Sequence, residues 1–206
     1  MRQGTDEWLA ARCGMVTASR MADVMARTKS GYGAGRSNYM AELVAETLTG
    51  KPAASFSNAA MQWGTGHEAA ARDEYAFMQG VSVEEVGFIP HPAIAGLGAS
   101  PDGLVGDDGM VEIKCPQTAT HIDTLLTGAI PQKYILQMHV QMMCADRAWC
   151  DHVSYDPRMP IEMQLWIKRV PRDDALVEQI TREVVLFRGE LDAKVSALMA
   201  QYAGDF

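Results

Sequence analysis

Two kinds of hydrophobic pattern alternate along the chain. Apolar residues that recur every three or four positions predict helices, and strict alternation of apolar and polar residues predicts strands. With their capping signals, these patterns predict helices at 5–12, 20–27, 39–48, 59–78, 118–126, 131–144 and 173–200. Strands are predicted at 81–86, 149–155 and 161–170, with two more within 98–116. The glycine-rich, basic stretch 27–36 is predicted to be a loop.

The segment Gly98–Pro116 is predicted to form a β-hairpin. Its turn is Gly106–Gly109, since glycine and aspartate tolerate the positive φ angles of tight turns. Asp102 lies at the far end of the first strand. Along the second strand, successive side chains point to opposite faces. Glu112 and Lys114 therefore share one face, and the apolar residues that alternate with them share the other.

Asp102, Glu112 and Lys114 are therefore expected to converge on one face of an otherwise apolar hairpin. Burying charges is costly unless they are paired or bind a metal. Oxygen ligands with open positions suit Mg²⁺, which makes a bound water more acidic and neutralises charge on a phosphate. Lys114 could orient or deprotonate that water, because burial readily lowers a lysine pKa. A surface hairpin with an ordinary salt bridge is the alternative.

Composition sets bounds on the class of protein. A chain of 206 residues suits one domain with a sizeable core, and no apolar run approaches the ~20 residues of a membrane span. The N-terminus has no apolar signal-peptide segment. The net charge of −8 divides into +2 for residues 1–51 and −10 for residues 52–206. This distribution argues against broad DNA wrapping but permits a local basic DNA-binding surface.

The four cysteines show no CxxC spacing. Free thiols in a reducing cytosol are therefore expected. A zinc site formed by Cys144, Cys150 and His152 is an alternative, although these residues lack the usual spacing of zinc ligands.

The predicted helix at 59–78 carries a carboxylate on its inward face. Glu68 shares this face with Ala71, Tyr75 and Met78, at offsets of 0, +3, +7 and +10. A carboxylate among apolar neighbours needs a partner. A salt bridge, a contact with the helix N-terminus or a metal ion could supply it.

Four separated motifs resemble those of one nuclease family. They are Trp8-x-x-x-Arg12-x-Gly-x-Val-Thr-Ala-Ser19, Trp63-Gly-x-x-x-Glu68, Ser-Pro-Asp102-Gly with Glu112-Ile-Lys114-Cys-Pro, and Tyr155-Asp-Pro-Arg-Met159. The core motif resembles that of PD-(D/E)xK nucleases, and its Cys-Pro ending is similar to the phage lambda-type, YqaJ-like alkaline exonucleases. The resemblance implies an α/β, restriction-endonuclease-like fold, with a central mixed sheet flanked by helices. Residues 1–206 would form a single nuclease domain.

The resemblance also implies roles for individual catalytic residues. Asp102, Glu112 and the Ile113 carbonyl would hold Mg²⁺, and Glu68 would hold a second ion or its water. Two ions are expected, and Mn²⁺ is a possible substitute. Lys114 would position or activate the nucleophile, and Gln137 would assist.

A second set of residues is implied to bind DNA. Arg12 and Ser19 would hold a terminal 5′-phosphate, with Trp8 in the same motif and Lys29 as a weaker candidate. Taken alone, these residues also fit a core tryptophan, a solvated arginine and a helix-capping serine. Met61 would wedge between base pairs at the duplex end, although a buried core position is equally compatible with the sequence.

Two histidines are considered beside these sets. His67 would be a cap or an outer neighbour of the metal ligands. The family often has an arginine after the Cys-Pro pair, where this chain has Thr120. His121 could replace that phosphate contact.

The function implied by the resemblance is processive 5′→3′ digestion of double-stranded DNA ends. Hydrolysis would release 5′-mononucleotides and leave 3′ overhangs for phage-type recombination. The resemblance further implies a homotrimeric ring and a single-strand annealing partner. It also implies a cytoplasmic location in a bacterial host, with a phage or prophage gene. The alternatives are an endonuclease or a 3′→5′ exonuclease with the same core, and a catalytically silent DNA-end-binding module.

Overall fold

The computed structural model describes residues 3–29, 31–53 and 59–202, apart from the side chains of Ala60 and Met61. Its helices are α1 Asp6–Arg12, α2 Met21–Val24, α3 Ala34–Thr49, α4 Ala59–Gln79, α5 Thr118–Thr127, α6 Gln132–Ala145 and α7 Asp174–Tyr202. Its strands are β1 Val16–Thr17, β2 Arg27–Thr28, β3 Gly31–Tyr32, β4 Val83–Glu84, β5 Ile89–Pro90, β6 Leu97–Ala99, β7 Gly103–Val105, β8 Gly109–Lys114, β9 Trp149–Tyr155 and β10 Leu165–Pro171.

A mixed five-stranded sheet forms the centre of the fold. Its strand order is β10-β9-β8-β7-β4, in which β8 and β9 run parallel and the other neighbours are antiparallel. A three-stranded sheet, β1-β6-β5, and the β2-β3 hairpin lie outside it. The expected α/β fold with a central mixed sheet is confirmed.

Strand β8 separates two layers of the core because its side chains alternate. Val111 and Ile113 pack with Ala71 and Tyr75 of α4. On the opposite face, Met110 packs with methionines of α6. Glu112 and Lys114 share the face of Met110, so the alternation of β8 directs both charged side chains toward α6.

A larger apolar cluster joins β1 and β6 to helices α2, α3, α6 and α7. Tyr39 of α3 and Phe187 of α7 stack within it at a centroid distance of 5.8 Å. Helix α6 contributes to this cluster and also covers the central sheet. It therefore connects the N-terminal elements to the strand that carries Glu112.

The prediction for residues 20–36 is wrong in detail. A short 3-10 turn, Ala18–Arg20, leads into α2, which ends at Val24 instead of residue 27. The predicted loop contains the β2-β3 hairpin, and α3 begins at Ala34. Arg27 and Tyr32 both bond to Glu183 of α7, so a contact more than 150 residues away along the chain stabilises this hairpin.

Two other element boundaries and one burial prediction differ from the sequence pattern. The strand expected at 81–86 is limited to β4, and residues 161–163 form a 3-10 turn before β10. Met78 was expected on the inward face of α4 but is 61% exposed. Phe77 beside it is 82% exposed, so the last turn of α4 does not pack on the sheet.

All four cysteines, which lie within the described residues, are free thiols as expected. Among the described residues, Cys144, Cys150 and His152 form no group that could hold a metal ion, so the alternative zinc site is wrong. None of the helices in the described part of the chain is both long enough and apolar enough to cross a membrane.

Candidate active site

The β7-β8 hairpin brings Asp102 beside Glu112. Asp102 directly precedes β7, and Gly103 is paired with Val111 across the hairpin. The Asp102 carboxylate accepts a hydrogen bond from the backbone N–H of Ile113 at 2.7 Å. This bond fixes the carboxylate against the strand that carries Glu112 and Lys114.

Glu112 is fully buried and is held by three nitrogen donors. Gln137 donates to its Oε1 at 2.6 Å, and Gln141 donates to its Oε2 at 2.6 Å. Lys114 forms an ion pair with Oε1. The two glutamines lie one turn apart on α6, so a single helical face supplies both amides. Gln137 therefore reaches the site as expected, through Glu112.

Burial and mutual repulsion characterise the carboxylates of this cluster. Burial raises the pKa of Asp102 well above its ordinary value, and the negative charge of Glu112 raises it further. Burial also raises the pKa of Glu68, against the opposing effect of Arg72. Groups in this condition favour a nearby cation.

Lys114 departs from the expectation drawn from its sequence context. Burial alone would lower the pKa of Lys114, but the charges of Glu112 and Asp102 raise it above the ordinary lysine value. The prediction of a lowered Lys114 pKa is therefore wrong, because the charges of Glu112 and Asp102 outweigh the effect of burial. Lys114 is an ammonium donor at neutral pH, which suits it to hold a water or a phosphate oxygen.

Glu68 of α4 adjoins the cluster through an arginine. Arg72 Nη2 donates to Glu68 Oε1 at 2.8 Å, and Arg72 Nε donates to the backbone carbonyl of Asp102 at 3.1 Å. The Glu68 side chain is 32% exposed. Of the alternatives left open for Glu68, the structure therefore shows a salt bridge.

The donor set fits a hard divalent cation. Asp102 and Glu112 offer carboxylate oxygens, and the mutual repulsion of the carboxylates is the condition that a cation relieves. Within the described ranges, no three His, Cys, Asp or Glu side chains converge closely enough to form a complete metal site on their own. Mg²⁺ accommodates this arrangement, because it keeps several waters and needs only one or two protein carboxylates.

A cavity of about 540 Å³ lies between α1 and α3, and it gathers three of the predicted DNA-binding residues. Trp8, Arg12 and Ser19 all line it. The Arg12 guanidinium stacks over the Trp8 ring at 4.0 Å. Both side chains donate to Ser100 Oγ, Trp8 at 2.9 Å and Arg12 at 3.3 Å. Since Ser100 is two residues before Asp102, the cavity is joined to the carboxylate cluster.

Arg12 is suited to bind an anion in this cavity. Burial lowers its pKa, against the effects of Tyr39 and Glu46. In the part of the chain that the structure describes, Arg12 forms no ion pair with a carboxylate. Arg20 on the same cavity wall is paired with Asp23 and Glu42. Arg12 therefore offers a positive charge that Arg20 does not.

Ser19 differs in local structure from the expectation. It lies inside the 3-10 turn Ala18–Arg20, whose N-cap is Thr17. The helix-capping alternative for Ser19 is therefore wrong. Its hydroxyl is 3.5 Å from Thr17 Oγ1 and belongs to the cavity lining.

The described structure does not test two other DNA-binding candidates. Lys29 is exposed in the turn between β2 and β3. Met61 lies on α4, but its side chain is outside the described residues. Their proposed contacts with DNA stay predictions.

Both histidines have structural partners. The His67 ring stacks on Trp63 at 3.8 Å, and its Nδ1 is 2.8 Å from the Trp63 carbonyl. His121 is fully buried, with Nδ1 2.8 Å from Ser154 Oγ and Nε2 2.8 Å from the Met163 carbonyl. His121 therefore cannot reach a phosphate, and its suggested role in place of the family arginine is wrong.

Sequence reasoning gave no role to three residues that support the site: Gln141, Arg72 and Ser100. Gln141 and Arg72 each lie four positions after a candidate residue on the same helix, and this spacing was a usable signal. Ser100 adjoins Asp102 in sequence, but its bonds to Trp8 and Arg12 span about 90 residues. Local spacing carries no signal of such a contact.

A mixed sheet that presents Asp102, Glu112 and Lys114 on one hairpin matches the PD-(D/E)xK nuclease core expected from the sequence. The chain belongs to the family of YqaJ-like viral recombinase domains, whose model matches residues 7–148. Its solved relatives include alkaline exonucleases, and this relationship indicates a nuclease.

Two of these structures are of LHK-Exo, an alkaline exonuclease from Laribacter hongkongensis. The first structure is LHK-Exo in complex with dAMP, and its sequence is 55% identical to this chain. The match covers 97% of this chain and 99% of the LHK-Exo chain, with a TM-score of 0.91. A second LHK-Exo structure is 54% identical, with the same coverage and TM-score.

A phage-related exonuclease from Haemophilus somnus 129PT shares the fold. It is 16% identical, covers 89% of this chain and 96% of its own, and has a TM-score of 0.73. No curated protein matches the chain.

Proposed function

We propose that this protein is a Mg²⁺-dependent 5′→3′ exonuclease that acts on the ends of double-stranded DNA. It releases 5′-mononucleotides and leaves 3′ overhangs that serve phage-type recombination. The observation that carries this proposal is the link through Ser100 between the Arg12 cavity and the loop that bears Asp102. An anion site beside a hydrolytic site favours cleavage at a fixed distance from a terminal phosphate.

The proposed metal ligands are Asp102, Glu112 and the Ile113 carbonyl, with Glu68 at a second ion or its water. A divalent cation supplies an acidic bound water and neutralises charge on the scissile phosphate, and Mn²⁺ can substitute for Mg²⁺. Gln137 and Gln141 orient Glu112 by donating to its two oxygens. Lys114 positions or activates the attacking water.

The Arg12 cavity provides the proposed polarity of digestion. The planar guanidinium of Arg12 can bind a phosphate through two hydrogen bonds, and the Ser19 hydroxyl adds a donor. A 5′-phosphate held there places the first phosphodiester near Asp102. LHK-Exo was solved with dAMP, a mononucleotide, which is the class of product proposed for this chain.

The proposed assembly is a homotrimeric ring with DNA in its channel, working with a single-strand annealing protein. Phe77 and Met78 are largely exposed, and exposed apolar side chains often mark interfaces, so they support the proposal of an assembly. Light scattering of the purified protein tests the trimer. A cytoplasmic location in a bacterial host stays a prediction.

The decisive experiment follows each strand of a linear duplex separately. Duplexes labelled at the 3′ end of one strand, with either a 5′-phosphate or a 5′-hydroxyl, are incubated with Mg²⁺ or with EDTA. The proposal expects Mg²⁺-dependent loss of the 5′-phosphorylated strand and release of mononucleotides. Nicking of closed circles would instead indicate an endonuclease, and loss from the 3′ end would indicate the opposite polarity. End binding without cleavage would identify a silent module.

A further inference from the structure

Arg72 joins two proposed metal ligands that lie on separate elements. Its Nη2 donates to Glu68 Oε1 at 2.8 Å, within helix α4. Its Nε donates to the carbonyl of Asp102 at 3.1 Å, on the segment that enters β7. The third contact, from Nη1 to Glu85 Oε2, is 2.9 Å long. The Arg72 side chain is only 12% exposed, whereas Glu85 is 70% exposed.

The bridge between Glu68 and Asp102 depends on the shape of the guanidinium group. Its donors are fixed in one plane, so simultaneous bonds from Nε and Nη2 restrict where the two partners lie relative to each other. A lysine ammonium has the same charge but is a single point on a flexible stem. It cannot reproduce two bonds that leave the side chain in different directions.

The charges make such a bridge necessary. The carboxylates of Glu68, Asp102 and Glu112 repel one another, and only Asp102 and Glu112 lie on the same hairpin. Glu68 belongs to a helix on the opposite face of the sheet from α6. Without a cationic link, repulsion would move Glu68 away from Asp102.

We propose that Arg72 is a positioning residue that sets the separation between Glu68 and Asp102 and thereby the affinity of the site for a divalent cation. This inference rests on the proposed function, because it concerns the same metal site. The outer contact with Glu85 contributes little, since exposed ion pairs are weak. The inner contacts with Glu68 and Asp102 carry the effect.

The test compares Arg72→Lys and Arg72→Gln with the control variant Glu85→Gln. Mg²⁺ binding is measured by calorimetry, and Mg²⁺ dependence is measured as the concentration that gives half-maximal cleavage. Loss of a residue that orients metal ligands typically weakens metal affinity by about 10- to 100-fold. We expect a loss of that size in both Arg72 variants and no change in Glu85→Gln. DNA binding in EDTA remains at the wild-type level in all three.

A thermal readout separates positioning from simple stabilisation. Mg²⁺ raises the melting temperature of the wild type, because a ligand that binds the folded state stabilises it. In Arg72→Lys this rise shrinks at a fixed Mg²⁺ concentration, and excess Mg²⁺ restores cleavage. A structural role would lower the melting temperature equally with and without Mg²⁺ and leave the half-maximal concentration unchanged. That result, or failure of both Arg72 variants to fold, overturns the inference.

The wild-type control distinguishes this inference from the proposed function. If the wild type neither binds Mg²⁺ nor cleaves linear duplex, the proposed function fails and the inference fails with it. If the wild type cleaves in Mg²⁺ and the Arg72 variants keep its half-maximal concentration, only the inference fails.

Discussion

Glu112 shows how single residues make a buried charge tolerable. A carboxylate removed from water needs hydrogen bonds to replace its hydration. Gln137 and Gln141 each donate to one of its oxygens, and Lys114 adds a positive charge. The Oε1 of Gln141 is buried and accepts no hydrogen bond in the described structure, so the amide orientation that donates to Glu112 leaves this oxygen unsatisfied. A cation bound at Glu112, as proposed above, would compete with these three contacts.

Lys114→Ala should abolish cleavage while DNA binding survives. The substitution removes the ammonium that contacts Glu112 and that we assign to the water or phosphate oxygen. Lys133→Ala is the matched control, because Lys133 and Lys114 both approach the ring of Tyr134, at 4.7 and 5.1 Å, but Lys133 is exposed. Single-turnover digestion and a gel-shift assay in EDTA measure the two properties. Normal cleavage by Lys114→Ala would remove the lysine from the mechanism.

Arg12→Ala should erase the preference for 5′-phosphorylated ends. Among the described residues Arg12 forms no ion pair with a carboxylate, so its loss removes the charge that a terminal phosphate would meet. The measurement is the ratio of digestion rates for 5′-phosphate and 5′-hydroxyl duplexes. Arg20→Ala provides the control, since Arg20 lines the same cavity but is neutralised by Asp23 and Glu42. An unchanged ratio in Arg12→Ala would place the phosphate site elsewhere.

Residue-scale prediction from the sequence succeeded where local periodicity decides the geometry. A period of two was sufficient to place Glu112 and Lys114 on one strand face. The helical period puts Gln137 and Gln141 on one face of α6, but it cannot show that both meet Glu112, 25 and 29 residues away. The burial of His121 between Ser154 and Met163 also depends on tertiary contacts.

At the scale of elements, the turn after β9 connects β8, β9 and α4. Arg158 bonds to both oxygens of Asp156 and also donates to the carbonyl of Pro116, just beyond β8. The same guanidinium stacks over Trp63 of α4 at 4.1 Å. These contacts give the Tyr-Asp-Pro-Arg-Met motif a structural role. They hold the ends of β8 and β9 against the start of α4.

Asp156→Asn should destabilise the protein in a pH-dependent way. Burial alone would raise the pKa of Asp156, but hydrogen bonds from Arg158 and Thr118 lower it to about 2. Because this pKa lies below the ordinary value near 4, the stabilisation is complete above about pH 4 and is lost as the pH falls through about 2. A difference of this size corresponds to about 2 kcal/mol.

Urea unfolding of the wild type and Asp156→Asn at several pH values measures this effect. The difference in unfolding free energy should be largest near neutral pH and should shrink toward pH 2. Asp107→Asn, in the exposed turn between β7 and β8, serves as the control. A difference that stays constant with pH would show that the ionised form of Asp156 is not what stabilises the turn.

Elements with strong periodicity were predictable, and those that depend on distant partners were not. Strand β8 and helix α6 follow their apolar patterns, so the centre of the sheet and the helix above it agree with the prediction. The β2-β3 hairpin has only two residues in each strand, too few for a detectable alternation. Its stabilising contacts come from Glu183 of α7, which no local pattern reveals.

At the scale of the whole molecule, the charge distribution limits how DNA can approach. A net charge of −8 repels a polyanion at long range, and the excess lies in residues 52–206. We therefore expect DNA binding to depend on a few local contacts near the cavity, in the segment with net charge +2. This arrangement favours engagement of a duplex end over wrapping of continuous DNA. The assignment of residues 1–206 to one domain stays a prediction.

Salt dependence of DNA binding tests this view of the whole molecule. Each phosphate neutralised by a protein cation adds about 0.9 to the slope of log affinity against log salt concentration. We expect affinity for a 5′-phosphorylated duplex, measured by fluorescence anisotropy in EDTA, to fall steeply with salt. Arg12→Ala should reduce the slope by about 1, since one phosphate contact is lost. Arg20→Ala, which removes an already paired cation, should keep the wild-type slope. Equal slopes in the wild type and Arg12→Ala would mean that DNA is held by other cations, and the Arg12 cavity would lose its proposed role in selecting duplex ends.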